Sequence, residues 1–134
     1  MSNNRASQIQ KEYYTSKADL YNRMYVEGDM DSGHQFALNF LSSIIRLNNI
    51  KSVLDVGAGT GRGIAFLQEH HPELTVFGAE SIDVLREQAY KAGISQDLLV
   101  EGDANQLNYS NDEFDLVCEF GVLHHVPKPD LVVK

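Results

Sequence analysis

Acids and glycines spaced around one turn are the residues of this chain best suited to chemistry. Asp55 is followed by Gly57, Ala58, Gly59, Thr60 and Gly61, with a glycine at every second position, and the run passes directly into a helical pattern. Glycines in such a turn leave the backbone bare for a ligand to approach. Glu80, the Glu101-Gly102-Asp103 step and Glu119 each close a later run of β-favouring residues. Carboxylates so placed can hold an ammonium, accept from ribose hydroxyls or accept from an exocyclic amine, and they repel phosphate. The spacing separates the nucleotide readings. A phosphate-cradling P-loop needs a Lys-Ser/Thr pair after its last glycine, and the chain has Arg62-Gly63 there. A dinucleotide fingerprint counted from Gly57 places Arg62 where its last glycine belongs. A cationic adenosine ligand without phosphate fits better.

The elements that must position these residues alternate. Strands are predicted over Ser52–Val56, Leu74–Ala79, Asp97–Glu101 and Phe114–Glu119. A helix runs from Gly61 or Arg62 to His70, ahead of Pro72. Another runs from Ser81 to Ala92, with Ser81 suited to the N-cap, Asp83 to the first turn and Gly93 to the C′ position. Gly121–His125 suits one helical turn, and Pro129 opens a further helix. Such alternation predicts parallel βαβ units in an α/β, doubly wound sheet with helical layers. Ligands of these sheets lie beyond the carboxyl ends of the strands. Residues 1–49 form an N-terminal helical extension, and residues 50–134 the sheet domain. In the extension, residues 5–25 read as a loose helix with Tyr13, Tyr14, Tyr21 and Tyr25. A turn follows over Glu27–Gly33, and Ser32 with Gln35 matches a capping box. The helix it opens carries Phe36/Ala37, Phe40/Leu41 and Ile44/Ile45 as an apolar stripe.

Over about residues 50–130 the chain resembles the class I S-adenosylmethionine-dependent methyltransferases. Val53–Gly61 is similar to the family's first motif, Phe114-Asp115-Leu116-Val117 to its fourth strand, and Val122–Pro127 to the segment that often follows. The resemblance implies a Rossmann-like sheet in strand order 3-2-1-4, with about four of the family's seven strands present and the remainder cut away. It implies S-adenosylmethionine as cofactor and the following roles. Asp55 helps to hold the methionyl end, and Gly57, Ala58, Gly59 and Gly61 form the close-approach turn. Glu80 takes the ribose hydroxyls, and Asp103 with Ala104 reads adenine. Glu119 and Phe120 border the methionyl group.

Other readings stand beside these. Asp55, Glu80 and Glu119 could be ordinary strand-end acids, Asp103 a turn former, and Arg62 a surface helix residue. His124 and His125 could supply a general base, or one could pack inward with the other solvated. Tyr13, Tyr14 and Tyr21 could pack the first helix or close over a cofactor. His70 and His71 suit a helix C-terminus, where they complement the dipole. Cys118 reads as buried and inert. No metal site is expected. A binding module without turnover and an NAD-type oxidoreductase are the alternative functions.

Composition narrows the partners. The hydrophobic fraction of 43% and charged fraction of 22% are ordinary for a globular domain. Residues 51–134 carry six Lys/Arg against fourteen Asp/Glu and account for the whole net charge of −8. Nonspecific nucleic-acid binding needs a basic face instead. No apolar run reaches the roughly 18–20 residues of a membrane span, and no signal peptide is visible behind Met1. The single cysteine excludes an internal disulfide. A cytoplasmic protein acting on a small molecule or lipid is the expectation, with the methyl acceptor and the oligomeric state left open.

Overall fold

The computed structural model describes residues 5, 8–17, 20 and 33–134. Tyr21, Tyr25 and the turn over residues 27–32 lie outside the described residues. Residues 8–17 are helical. The further elements are α1 (Gly33–Leu47), β1 (Ser52–Val56), α2 (Arg62–His70), β2 (Thr75–Glu80), α3 (Asp83–Lys91), β3 (Leu99–Glu101), β4 (Leu116–Glu119), a 3-10 turn (Leu123–His125) and α4 (Pro129–Val132).

The four strands pair in parallel in the order β3-β2-β1-β4. Register aligns Val56 with Ala79 and Glu119, and Glu80 with Glu101. The acids at the strand ends therefore share one edge of the sheet, as expected. At the opposite edge Asp115 locks β4 onto β1. Its Oδ2 accepts the Lys51 and Ser52 N–H groups at 2.8 and 3.0 Å, and its own N–H donates to Ser52 Oγ at 3.0 Å.

One face of the sheet carries the main core. Leu41 and Ile45 of α1, Ile64 and Leu67 of α2 and Ala89 of α3 pack on Val53, Val76 and Leu99. Alternation along a strand sends Leu54 and Val56 to the other face. They meet the 104–114 loop, β4 and α4 across a second cavity of about 600 Å³. α3 closes as predicted. Gly93 has φ 102°, and the N–H groups of Gly93 and Ile94 bond the carbonyls of Tyr90 and Ala89 in a Schellman pattern.

Several local expectations are corrected. Phe36 and Phe40 are exposed, and α1 instead buries Leu38, Leu41, Ser42 and Ile45. Paired apolar residues four apart draw two neighbouring stripes about 100° apart, and only one can face the sheet. Ser81 does not cap α3. Ile82 is the N-cap, in extended backbone and without a side-chain cap. β3 begins at Leu99, because the Leu98 and Leu99 N–H groups first close a turn onto the Ser95 carbonyl. β4 begins at Leu116, with Phe114 packed between Phe77 and Tyr109. β2 begins at Thr75 and runs on to Glu80.

His70 and His71 divide their labour. The His70 ring N–H donates to the Phe66 carbonyl at 2.9 Å, serving the helix end. His71 is instead buried, with Nε2 2.6 Å from Ser42 Oγ. Burial, aided by Arg46 and His70 and opposed by Glu73, holds its pKa below the ordinary value.

Candidate functional site

The glycine turn, the ends of β2 and β3, the segment after β4 and the helical 8–17 segment enclose a cavity of about 500 Å³. Gly57 and Gly59 form its floor, with φ 72° and 57°. The Val122 side chain occupies the space a Cβ on Gly57 would need, so only glycine fits there. Glu80, Asp103, Ala104 and Phe120 line the walls, as do His125, Tyr14 and Lys11.

The other predicted residues stand behind this lining. The Ala58 side chain turns into the core, with its Cβ 3.0 Å from where a Cβ on Gly78 would sit. Gly61 is the N-cap of α2, with φ 79°, and leaves room for Ile94 and Ala89. Asp55 is 2% exposed beneath the turn, and its Oδ1 has no hydrogen-bond partner. Its Oδ2 lies 2.7 Å from the position of a Cβ on Gly63, so the first turn of α2 seats against the carboxyl. Burial, then Glu80 and Glu119, push the Asp55 pKa up to about 7. One oxygen of a buried carboxyl is thus left without a partner, under a bare turn and beside two more acids.

Residues 53–133 match the family of the methyltransferase domain. The chain belongs to that family. Solved structures resemble this methyltransferase domain in fold. Magnesium protoporphyrin IX methyltransferase from Synechocystis PCC 6803, crystallised with bound SAM, aligns at 20% identity and TM-score 0.68, covering 94% of this chain and 66% of that one. The YcgJ protein from Bacillus subtilis aligns at 21% and 0.63, covering 75% and 44%. An S-adenosylmethionine-dependent methyltransferase from Clostridium acetobutylicum ATCC 824 aligns at 23% and 0.56, covering 79% and 43%. In each comparison the chain spans less than two thirds of the other protein. No curated protein matched the sequence.

In the methyltransferase domain Glu80 is held from both sides. Its Oε2 accepts the Gly59 N–H and its Oε1 the Ile82 N–H, each at 2.9 Å. Burial raises its pKa, while the bonds from Ile82, Gly59 and Ser81 and the charge of Arg86 oppose the rise. Each oxygen retains a second lone pair for a ligand hydroxyl. Asp103 forms an Asx turn, its Oδ1 accepting the Asn105 N–H and side-chain amide at 2.8 and 3.0 Å. Glu119 turns back on its own loop, where its Oε2 accepts the Val122 and Leu123 N–H groups. That cap shapes the wall over Gly57.

The two central histidines are distinct. His125 lines the cavity, and its Nε2 lies 2.9 Å from the Tyr14 hydroxyl. The His124 ring lies tilted against it, at 3.7 Å between ring centroids, and outside the lining. Burial and His124 hold the His125 pKa below the ordinary value. Phe120 packs on His34 at 5.1 Å, and the His34 Nε2 is buried without a hydrogen-bond partner. Arg62 is half-buried, and its charge adds to burial in lowering the His34 pKa. Cys118 is half-buried. Burial, with Asp55 and Glu119, raises its pKa and keeps it a thiol. Sequence reasoning missed Lys11, Arg86 and the packing of Val122 over Gly57, all of which depend on contacts made through space.

The acid cluster has a measurable consequence. The folded pKa of Asp55, about 7, lies above its unfolded value of 3.8. Its contribution to stability is then fully present below the unfolded value and is lost as pH rises through the folded one. Without ligand, Asp55→Asn should gain on the wild type as pH rises from 4 to 8. The melting temperature of the Asn variant minus that of the wild type should rise by about 5–10 °C over this range. A gap that stays constant with pH would show that the carboxyl is ordinary. His71, with its lowered pKa, acts in the opposite direction below its ordinary 6.5 and is common to both proteins.

Proposed function

We propose that the domain binds S-adenosylmethionine in the cavity over the glycine turn and serves methyl transfer to a small molecule or lipid. The partnerless Asp55 oxygen, buried under a turn that only glycine can form, carries this reading. When bound, the cofactor supplies an already activated sulfonium methyl group. Asp55 holds the ammonium from below, Glu80 accepts from the ribose hydroxyls, and Asp103 with the Ala104 N–H faces adenine. Phe120, beside Glu119, excludes water from the methionyl end. The contribution of these residues is position rather than proton transfer. His125 is held by Tyr14 at the wall, where a base would be needed only for a nucleophile that must lose a proton. Among the described residues no helix is long and apolar enough to cross a membrane. We assign a cytoplasmic location on the sequence alone.

A second reading has one observation in its favour. The chain covers 66% of the Synechocystis protein's length and 44% of YcgJ's, so it could bind the methyl donor without turning it over by itself. Calorimetry with S-adenosylhomocysteine and, separately, NAD tests the site. S-adenosylhomocysteine should bind and NAD should not, and binding of NAD alone would sink the methyltransferase reading. Donor binding without transfer to any offered small-molecule or lipid nucleophile would favour the binding module.

A further inference from the structure

Arg86 is placed at a junction no motif marks. It lies in the first turn of α3, and its side chain is only 12% exposed. Its Nη1 donates to the main-chain carbonyl of Glu80 at 2.6 Å, and its Nη2 donates to Asp83 Oδ1 at 2.8 Å. Glu101 Oε2 lies 3.8 Å from the same Nη2. One guanidinium therefore joins the end of β2, the end of β3 and the start of α3. Arginine suits this because its planar fork binds acceptors in two directions at once.

The junction needs a tie. Only Ser81 and Ile82 link β2 to α3, and the cap at Ile82 has no side-chain bond. The last rung from β3, Gly102 N–H to the Glu80 carbonyl, is long at 3.3 Å. The Arg86 bond to that same carbonyl is short and charge-assisted. Lys11 reaches Asp83 at 3.8 Å from a half-exposed position. Arg86 is not part of the cavity lining, so its effect on a ligand is indirect, and its shortest bond leads to Glu80.

We propose that Arg86 is a positioning residue for ribose recognition, holding the short β2–α3 link so that the Glu80 carboxylate stays aimed at both ribose hydroxyls. This rests on the reading of the cavity as an S-adenosylmethionine site. The test titrates wild type, Arg86→Met and Arg86→Lys with S-adenosylhomocysteine and with its analogue lacking both ribose hydroxyls. The wild type should prefer the hydroxylated ligand. Arg86→Met should lose about tenfold in affinity for it and little for the analogue, so the preference collapses. Arg86→Lys should lose about threefold, since an ammonium reaches one acceptor rather than two. Equal weakening of both ligands by Arg86→Met would assign Arg86 a general structural role and overturn the proposal. If the Met variant does not fold, an undiminished preference in Arg86→Lys overturns it equally. A wild type that binds no S-adenosylhomocysteine would overturn the reading of the site itself and this inference with it.

Discussion

Glu80→Ala should weaken S-adenosylhomocysteine binding by about 10–100-fold, or about 1.4–2.8 kcal/mol. The size follows from what the carboxylate does at once. It accepts the N–H of Gly59 in the glycine turn and the N–H of Ile82 at the start of α3. Truncation frees both donors beside the cavity, removes the acceptor proposed for the ribose and loosens the turn that forms the floor. Glu80→Gln should be nearly as harmful, although it keeps the shape. Both oxygens face N–H donors, and an amide turns one oxygen into a third donor. Calorimetry reads the loss, with a melting curve to confirm that each variant is folded. Unchanged affinity in the alanine variant would place the ribose elsewhere.

Gly78→Val should have the largest effect on stability, about 3 kcal/mol or more. Gly78 lies mid-strand in β2, paired with Asp55 and Leu99. A Cβ there would lie 2.6 Å from Ile64 Cδ1, 2.9 Å from Leu99 Cδ1 and 3.0 Å from Ala58 Cβ. Three elements thus close on the missing side chain: α2, β3 and the glycine turn. Relief at one would strain another, and a domain stable by only about 5–15 kcal/mol has little to spare. The melting temperature should fall by about 10 °C or more. Gly33→Ala is the control, because nothing lies within 4 Å of its added carbon. Melting of Gly78→Val within a degree or two of the wild type would mean that α2 does not seat on the sheet in this way.

What was legible in the sequence is what local pattern dictates. The parallel pairing follows from β-favouring runs that alternate with helices, whereas the strand order was implied by the family resemblance. The shared edge of Glu80, Glu101 and Glu119 follows from each run ending in an acid. Gly93 announced its left-handed cap. Other features depend on partners that the local pattern does not name. Phe36 and Phe40 belong to a plausible apolar stripe, and only tertiary packing selects the adjacent one through Leu41 and Ile45. His71 looked like a helix-end charge until α1 brought Ser42 against it. Tyr14 meets His125 across 111 positions. Arg86 bonds a main-chain carbonyl, a group every residue carries, so no side-chain motif could have pointed to it.

The sheet holds the parts of the cavity unequally. β2, which ends in Glu80, has a ladder on each side, to β1 and to β3. β4, which leads into Phe120 and His125, is laddered among the described residues to β1 alone. The Glu80 seat is therefore anchored like the middle of a plank, while Asp103 beyond β3 and Phe120 beyond β4 lie at the plank's two ends among the described residues. Changes in the loops beyond Glu101 and Glu119 can reshape the cavity walls while the Glu80 seat stays as it was. The walls of one cavity can thus diverge around a fixed centre.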